Sequence, residues 1–144
     1  MRAGQSHITS AVVNAPAESV FARMADAQNL HRWSFGTWKT EIAADGLVRG
    51  TSLFDGGSIH VRIEADERRG IIDYHLGVDP QRLVPRIQLR VVPGDHVGLE
   101  SEQSVLTFIA WRSEMMDDDR WRRLTASHEM EVMLIKAMIE SGQF

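Results

Sequence analysis

Cysteine is absent from the 144 residues, and that one gap excludes disulfides, thiolate zinc sites and cysteine nucleophiles together. Lysine is scarce, two residues against fourteen arginines, and the chain has four prolines and one tyrosine. An excess of positive charge is lacking too. The formal net charge of −4 leaves no electrostatic footprint for nucleic acid or an anionic membrane, so neither is expected as a partner. The densest basic group, Arg120, Arg122 and Arg123, directly follows Asp117–Asp119 and reads as a solvated first helical turn. No apolar run approaches the ~20 residues of a membrane span, and no signal-peptide pattern opens the chain. The expectation is therefore no integral membrane segment and a cytoplasmic location. Repeats, low-complexity segments and linkers are also missing. What is present is ordinary: 43% hydrophobic and 25% charged residues, in one domain over residues 1–144.

The chain is organised around its C-terminal end, Asp117 to about Glu140, which contains neither proline nor glycine. Three acids open the stretch, where a helix N-terminus favours negative charge and side-chain oxygens cap free N–H groups. Gly142 follows as a stop. Trp121, Leu124, His128, Val132, Ile135 and Ile139 recur at spacings of three and four, so they share one face of a helix roughly 36 Å long. Met130, Met133, Leu134, Ala137 and Met138 are expected to widen that stripe, and a sheet is expected to cover it.

The rest of the chain supplies strands. Ser6 to Val13 is a short strand with Ile8, Ser10 and Val12 on one face. Pro16 opens a helix in which Ala17, Val20, Phe21 and Met24 form a stripe, and Asp26 opens a second one carrying Leu30 and Trp33. From Thr37 the period changes to two. Trp38–Ala43 and Val48–Phe54 are strands about an Asp45-Gly46 turn, and Asp55-Gly56-Gly57 turns the chain again. Ile59, Val61 and Ile63, then Ile72, Tyr74 and Leu76, alternate with polar residues. With Glu67 and Arg68 at the hairpin tip, Arg62 faces Asp73, His60 faces His75, Val61 faces Tyr74 and Ile63 faces Ile72. Ile87, Leu89 and Val91 alternate with Arg86, Gln88 and Arg90 in a sixth strand, and Leu99 to Arg112 form a seventh whose two faces are both apolar. The order is α+β with an antiparallel meander.

That order and several phrases resemble the helix-grip fold of the START/Bet v 1-like (SRPBCC) superfamily, in particular its bacterial polyketide cyclase/dehydrase and lipid-transport-like branch. The phrases are Val13-Asn14-Ala15-Pro16-Ala17-Glu18-Ser19-Val20-Phe21, Asp26 to Trp33, Arg49-Gly50-Thr51, Ala65 to Tyr74, and the final amphipathic helix. The resemblance covers nearly the whole chain. It implies a curved seven-stranded antiparallel sheet wrapped around the C-terminal helix, with two short helices after the first strand. It also implies an internal cavity between sheet and helix for a small hydrophobic or amphipathic molecule. On that reading Trp33, Val61, Ile63, Tyr74, Leu89, Phe108, Trp111, Met115, Met116, Trp121, Leu124, His128 and Val132 line the ligand site, with Met115 and Met116 at its approach.

His128 is the most informative polar residue, because its stripe places it between Leu124 and Val132. It is either a general acid/base with a pKa tunable near neutrality or a seam histidine bonded to a backbone carbonyl. Tyr74 either orients a ligand or packs with a bonded hydroxyl. His60, Arg62, Asp73 and His75 read as solvated cross-strand pairs. Two histidines lack a third metal ligand, and His128-Glu129 lacks the second histidine of a metalloprotease, so neither metal nor cofactor is expected. Gly56-Gly57-Ser58 lies between strands and reads as a turn, not a phosphate loop.

Three functions fit these observations. The first is a protein that binds or carries a small hydrophobic molecule. The second is a polyketide cyclase- or dehydratase-like enzyme with His128 and Tyr74 as its acid/base pair, and Arg86 or Gln88 only if the strand facing is inverted. The third is an accessory domain working through exposed Trp38 or the His60/Arg62 face. A homodimer is left open.

Overall fold

The alternation of apolar and polar residues after Thr37 dictates strands, and the strands assemble in chain order except for the first. The computed structural model describes residues 4–144. Its strands are β1 (Ser6–Val13), β2 (Trp38–Ile42), β3 (Val48–Thr51), β4 (Ser58–Asp66), β5 (Ile71–Gly77), β6 (Val84–Pro93) and β7 (Ser104–Trp111). They form one antiparallel sheet in the order β1-β7-β6-β5-β4-β3-β2. Helices α1 (Ala17–Ala25) and α2 (Leu30–Trp33) carry the chain from β1 to the far edge at β2, and α3 (Asp118–Glu140) closes the same face. No helix among the described residues is long and apolar enough to cross a membrane.

Helix α3 begins where its acids predict: the Asp117 carboxylate accepts the Arg120 N–H at 2.7 Å. It ends in a Schellman motif on Gly142, with Gln143 N–H donating to Met138 O and Gly142 N–H to Ile139 O. All six residues of the expected stripe are buried. The widening is not observed: Met130 and Met133 are each 61% exposed, and Leu134 and Ala137 also face away from the sheet. Helix α3 leans on the concave side near β1, so one row of side chains suffices to seat it.

Two expectations about strands are corrected. The β4–β5 register is two residues longer than expected, with Ile63 opposite Tyr74, Arg62 opposite His75 and Glu64 opposite Asp73. The turn takes four residues instead of two. Asp66 accepts the Arg69 N–H, and Gly70 at φ +67° closes against β6, where a Cβ would lie 2.5 Å from Val91 O. A slip of two leaves every side chain on its expected face but changes its partner. His75 therefore meets Glu64 at 3.3 Å, Arg62 meets Asp45 at 3.3 Å, and Asp73 accepts the Gln88 amide at 3.0 Å. His60 and His75 do not face one another, and no metal-holding group of three His, Cys, Asp or Glu exists among the described residues.

The seventh strand is shorter than expected, starting at Ser104. Gly94 N–H donates to Gln103 O and accepts Leu99 N–H on its own carbonyl, which folds residues 94–103 into a closed loop. Within β7, Leu106, Phe108 and Ala110 point inward, while Val105, Ile109 and Trp111 point out. The core joins Val20, Phe21, Met24, Leu30, Trp33, Val48, Val61, Ile72, Tyr74, Leu89, Val91, Leu106, Phe108, Val132, Ile135 and Ile139 into one cluster.

Candidate functional site

Aromatic side chains on the concave face must stack somewhere, and they do so in a continuous row through the core. Tyr74 meets Trp33 at 5.8 Å, Trp33 meets Phe108 at 5.6 Å, Phe108 meets His128 at 5.7 Å and His128 meets His7 at 6.1 Å. The middle of the helix grip is thus filled. Trp33, Val61, Tyr74, Leu89, Phe108 and Val132, expected at a ligand, pack on one another, with Ile63 against their edge. Trp121 and Leu124 form a second cluster with Ala110 and Met116. Trp111 stands on the outer face of β7 and Met115 is 88% exposed, so both lie apart from the interior. Tyr74 donates its hydroxyl to Met24 O at 2.7 Å, and burial pushes its pKa far up. The expected His128–Tyr74 pair is therefore not formed as a working couple.

Open space remains at one end of the row. A pocket of about 80 Å³ lies between the first half of α3 and the ends of β4, β5 and β6. Leu124, Ser127, His128 and Glu131 reach it from the helix, with Arg120 at its rim. Ile59, Leu76, Arg86 and Ile87 reach it from the sheet. Met116 and Phe54 cover it from the flanking loops. The volume holds about two or three waters or the head of a ligand, against several hundred Å³ for a typical whole-ligand site. A larger hollow of about 390 Å³ lies beside α1 and the Glu67–Gly70 turn, where Ala17, Phe21, Val91 and Pro93 form its floor and Glu18, Glu67, Arg68, Arg69 and Arg90 its charged surround.

Four ionisable side chains give the pocket its chemistry. His128 is 3% exposed and its Nδ1 has no hydrogen-bond partner. Burial, then His7 and Arg86, hold its pKa down to about 4, and it is neutral at pH 7. Glu131 is 5% exposed, and burial pushes its pKa up to about 8, while the Ser127 hydroxyl donates to Leu124 O at 2.8 Å. Arg120 rises from the first turn of α3, lays its guanidinium 3.8 Å from the Phe54 ring, and leaves Nη1 buried without a partner. Arg86 donates to Trp111 O at 3.4 Å and to the Met116 sulfur at 3.7 Å. Burial, then the neighbouring Arg120, lowers its pKa.

Arg86 reaches the pocket without any inversion of β6. The register shifts between Tyr74↔Ile87 and His75↔Pro85, leaving Arg86 as the extra residue of a bulge. Pro85 inside a central strand was the available signal, since proline enters sheets mainly at edges and bulges. Glu131 was missed because it carries charge, although it lies three residues after His128 and four before Ile135, on the same face. Arg120 was read as a solvated turn.

Comparison with known proteins places the fold. A family model described as polyketide cyclase / dehydrase and lipid transport matches residues 6–140. No curated protein matches the chain. Among solved structures, the Zhui aromatase/cyclase from Streptomyces sp. R1128 superposes with a TM-score of 0.66 at 18% identity, over 96% of this chain and 93% of that one. The di-domain ARO/CYC BexL of the BE-7585A biosynthetic pathway gives 0.69 at 18% identity, over 95% of this chain and 47% of that one. The Aha1 dimer from Colwellia psychrerythraea gives 0.66 at 13% identity, over 96% and 98%. At such identities the likeness is one of fold.

Proposed function

Because the chain belongs to the polyketide cyclase / dehydrase and lipid transport family, we propose that it binds a small apolar molecule with one polar head in the pocket beside His128. The observation that carries this reading is a pair of buried donors or acceptors, Arg120 Nη1 and His128 Nδ1, left without partners at one pocket. An unpaired buried polar atom costs about 1–3 kcal/mol, and a ligand oxygen would recover it. The surrounding Phe54, Ile59, Leu76, Ile87 and Met116 offer an apolar wall for the rest of the molecule. The test is thermal unfolding in the presence of eight- to twelve-carbon alcohols and acids. A ligand at a hundred times its Kd should raise Tm by roughly 5–10 °C for a chain of this size. No shift with any member of the series overturns the reading.

A second reading, a cyclase- or dehydratase-like enzyme in the same pocket, has its own observation. Glu131 pushed up to about 8 and His128 down to about 4 place a protonated carboxyl and a neutral imidazole on one helix face. Such a pair supplies a proton donor and a proton acceptor for water loss or ring closure at a β-carbonyl chain. Tyr74 is replaced by Glu131 in that role. Turnover of a β-hydroxyketone surrogate should fall at least about a hundred-fold in Glu131→Gln and in His128→Ala. Unchanged turnover in both removes the enzyme reading.

A further inference from the structure

Arg86 and Arg120 are the two cations of the pocket, and neither has a carboxylate within 4.0 Å among the described residues. Of the nearby acids, Asp118 pairs with Arg112 and Asp119 with Arg122 and Arg123, while Asp55 and Asp117 act on Arg120 without forming an ion pair with it. Glu131, the one carboxyl that lines the pocket, is held neutral at pH 7 by its burial. The guanidinium of Arg86 instead rests on a carbonyl at 3.4 Å and a thioether at 3.7 Å. A thioether is a weak acceptor, whereas a guanidinium with a carboxylate forms short, charge-assisted and often bidentate bonds. The best local acceptor is thus missing from a site built around two donors.

Met116 occupies the place such an acceptor would take. Its backbone is fixed: Arg112 donates to Met116 O from Nε at 3.2 Å and from Nη2 at 2.9 Å, while its Nη1 grips Asp118 at 2.7 Å. Its side chain meets Arg86 through the sulfur and otherwise packs by apolar contact on the Ala110, Trp121 and Leu124 cluster. Three soft torsions allow the thioether to swing out while the backbone stays clamped. Leaving, it would uncover Arg86 and enlarge the small pocket at the same step.

We propose that the ligand head is a carboxylate received by Arg86 with Arg120 beside it, and that the Met116 side chain is a resident stand-in displaced when that carboxylate arrives. The proposal rests on the binding function given above. Its consequence is selectivity for the acid over the isosteric alcohol, with the apolar tail running out along the space that Met116 vacates.

Titration calorimetry of the full chain with octanoate, 1-octanol and acetate at pH 7 tests it. Octanoate should bind at least about ten-fold more tightly than 1-octanol, and acetate should bind weakly for want of a tail. In Arg86→Gln the octanoate-to-octanol ratio should collapse towards one. Met116→Leu, which keeps the bulk and removes the sulfur, should strengthen octanoate binding by about three-fold or more without the same gain for 1-octanol. Equal affinities for octanoate and 1-octanol in the wild type overturn the carboxylate assignment while leaving the binding function standing. Acetate binding as tightly as octanoate overturns the amphipathic ligand in favour of a free anion. Octanoate affinity unchanged in Met116→Leu overturns the stand-in. If neither eight-carbon compound binds, the binding function and this inference fall together.

Discussion

Glu131 and His128 are three residues apart on α3, and burial moves their protonation in opposite directions. Each makes folding depend on pH, with opposite signs. Between about 4 and 6.5 the unfolded histidine holds a proton that the folded one lacks, so stability rises with pH. Between 4.5 and about 8 the folded glutamic acid holds a proton that the unfolded one has lost, so stability falls with pH. The two slopes oppose each other up to pH 6.5, and above it Glu131 acts alone. From pH 6.5 to 8 Glu131 should cost the wild type about 1.5 kcal/mol of stability, offset slightly by the tail of the histidine titration, and Glu131→Gln should abolish that loss. Urea unfolding across that window checks it, and parallel pH profiles for the two proteins would refute the assignment. His128 was legible from spacing alone, because a histidine among apolar residues at i, i+4 and i+8 has nowhere else to point. Glu131 obeys the same spacing, yet carboxylates are rarely fully buried, and the general rule concealed it.

Elements were legible to within a few residues because alternation and helical spacing report which face is buried, and burial is what holds an element in place. Register was not, since an even slip preserves every face and only the turn decides it. In β4–β5 that decision falls to Gly70. A Cβ there would combine a left-handed φ of +67° with a 2.5 Å approach to Val91 O on the next strand. Gly70→Ala should destabilise the fold by about 1–3 kcal/mol, where an exposed turn glycine without a neighbour, such as Gly46, should cost less. Chemical denaturation of the two variants side by side checks this, and equal losses would mean that the β6 contact yields freely. The bulge at Arg86 is the other element-scale feature that alternation hid. One extra residue at Pro85-Arg86 moved a cation from the outer face to the pocket, and no count of apolar residues along β6 reports that.

For the whole molecule the question is why a fold that resembles a container is closed through its middle. The resemblance and the apolar stripe on α3 made the helix grip legible, but residue types do not say whether large side chains line a space or fill it. Here one row of rings fills it, and Phe108 stands at the junction, touching Trp33 on the packed side and His128 on the pocket side. Phe108→Ala should therefore do two things at once. It should lower stability by about 3–5 kcal/mol, through lost burial and the void left behind, and the void should join the existing pocket. A joined, apolar-walled space accepts small aromatic molecules, so toluene or indole should restore part of the lost Tm in the variant and leave the wild type unmoved. Loss of stability without rescue would mean that the core collapses around the deletion. Rescue would mean that the distance between a filled and an open grip in this chain is a single ring.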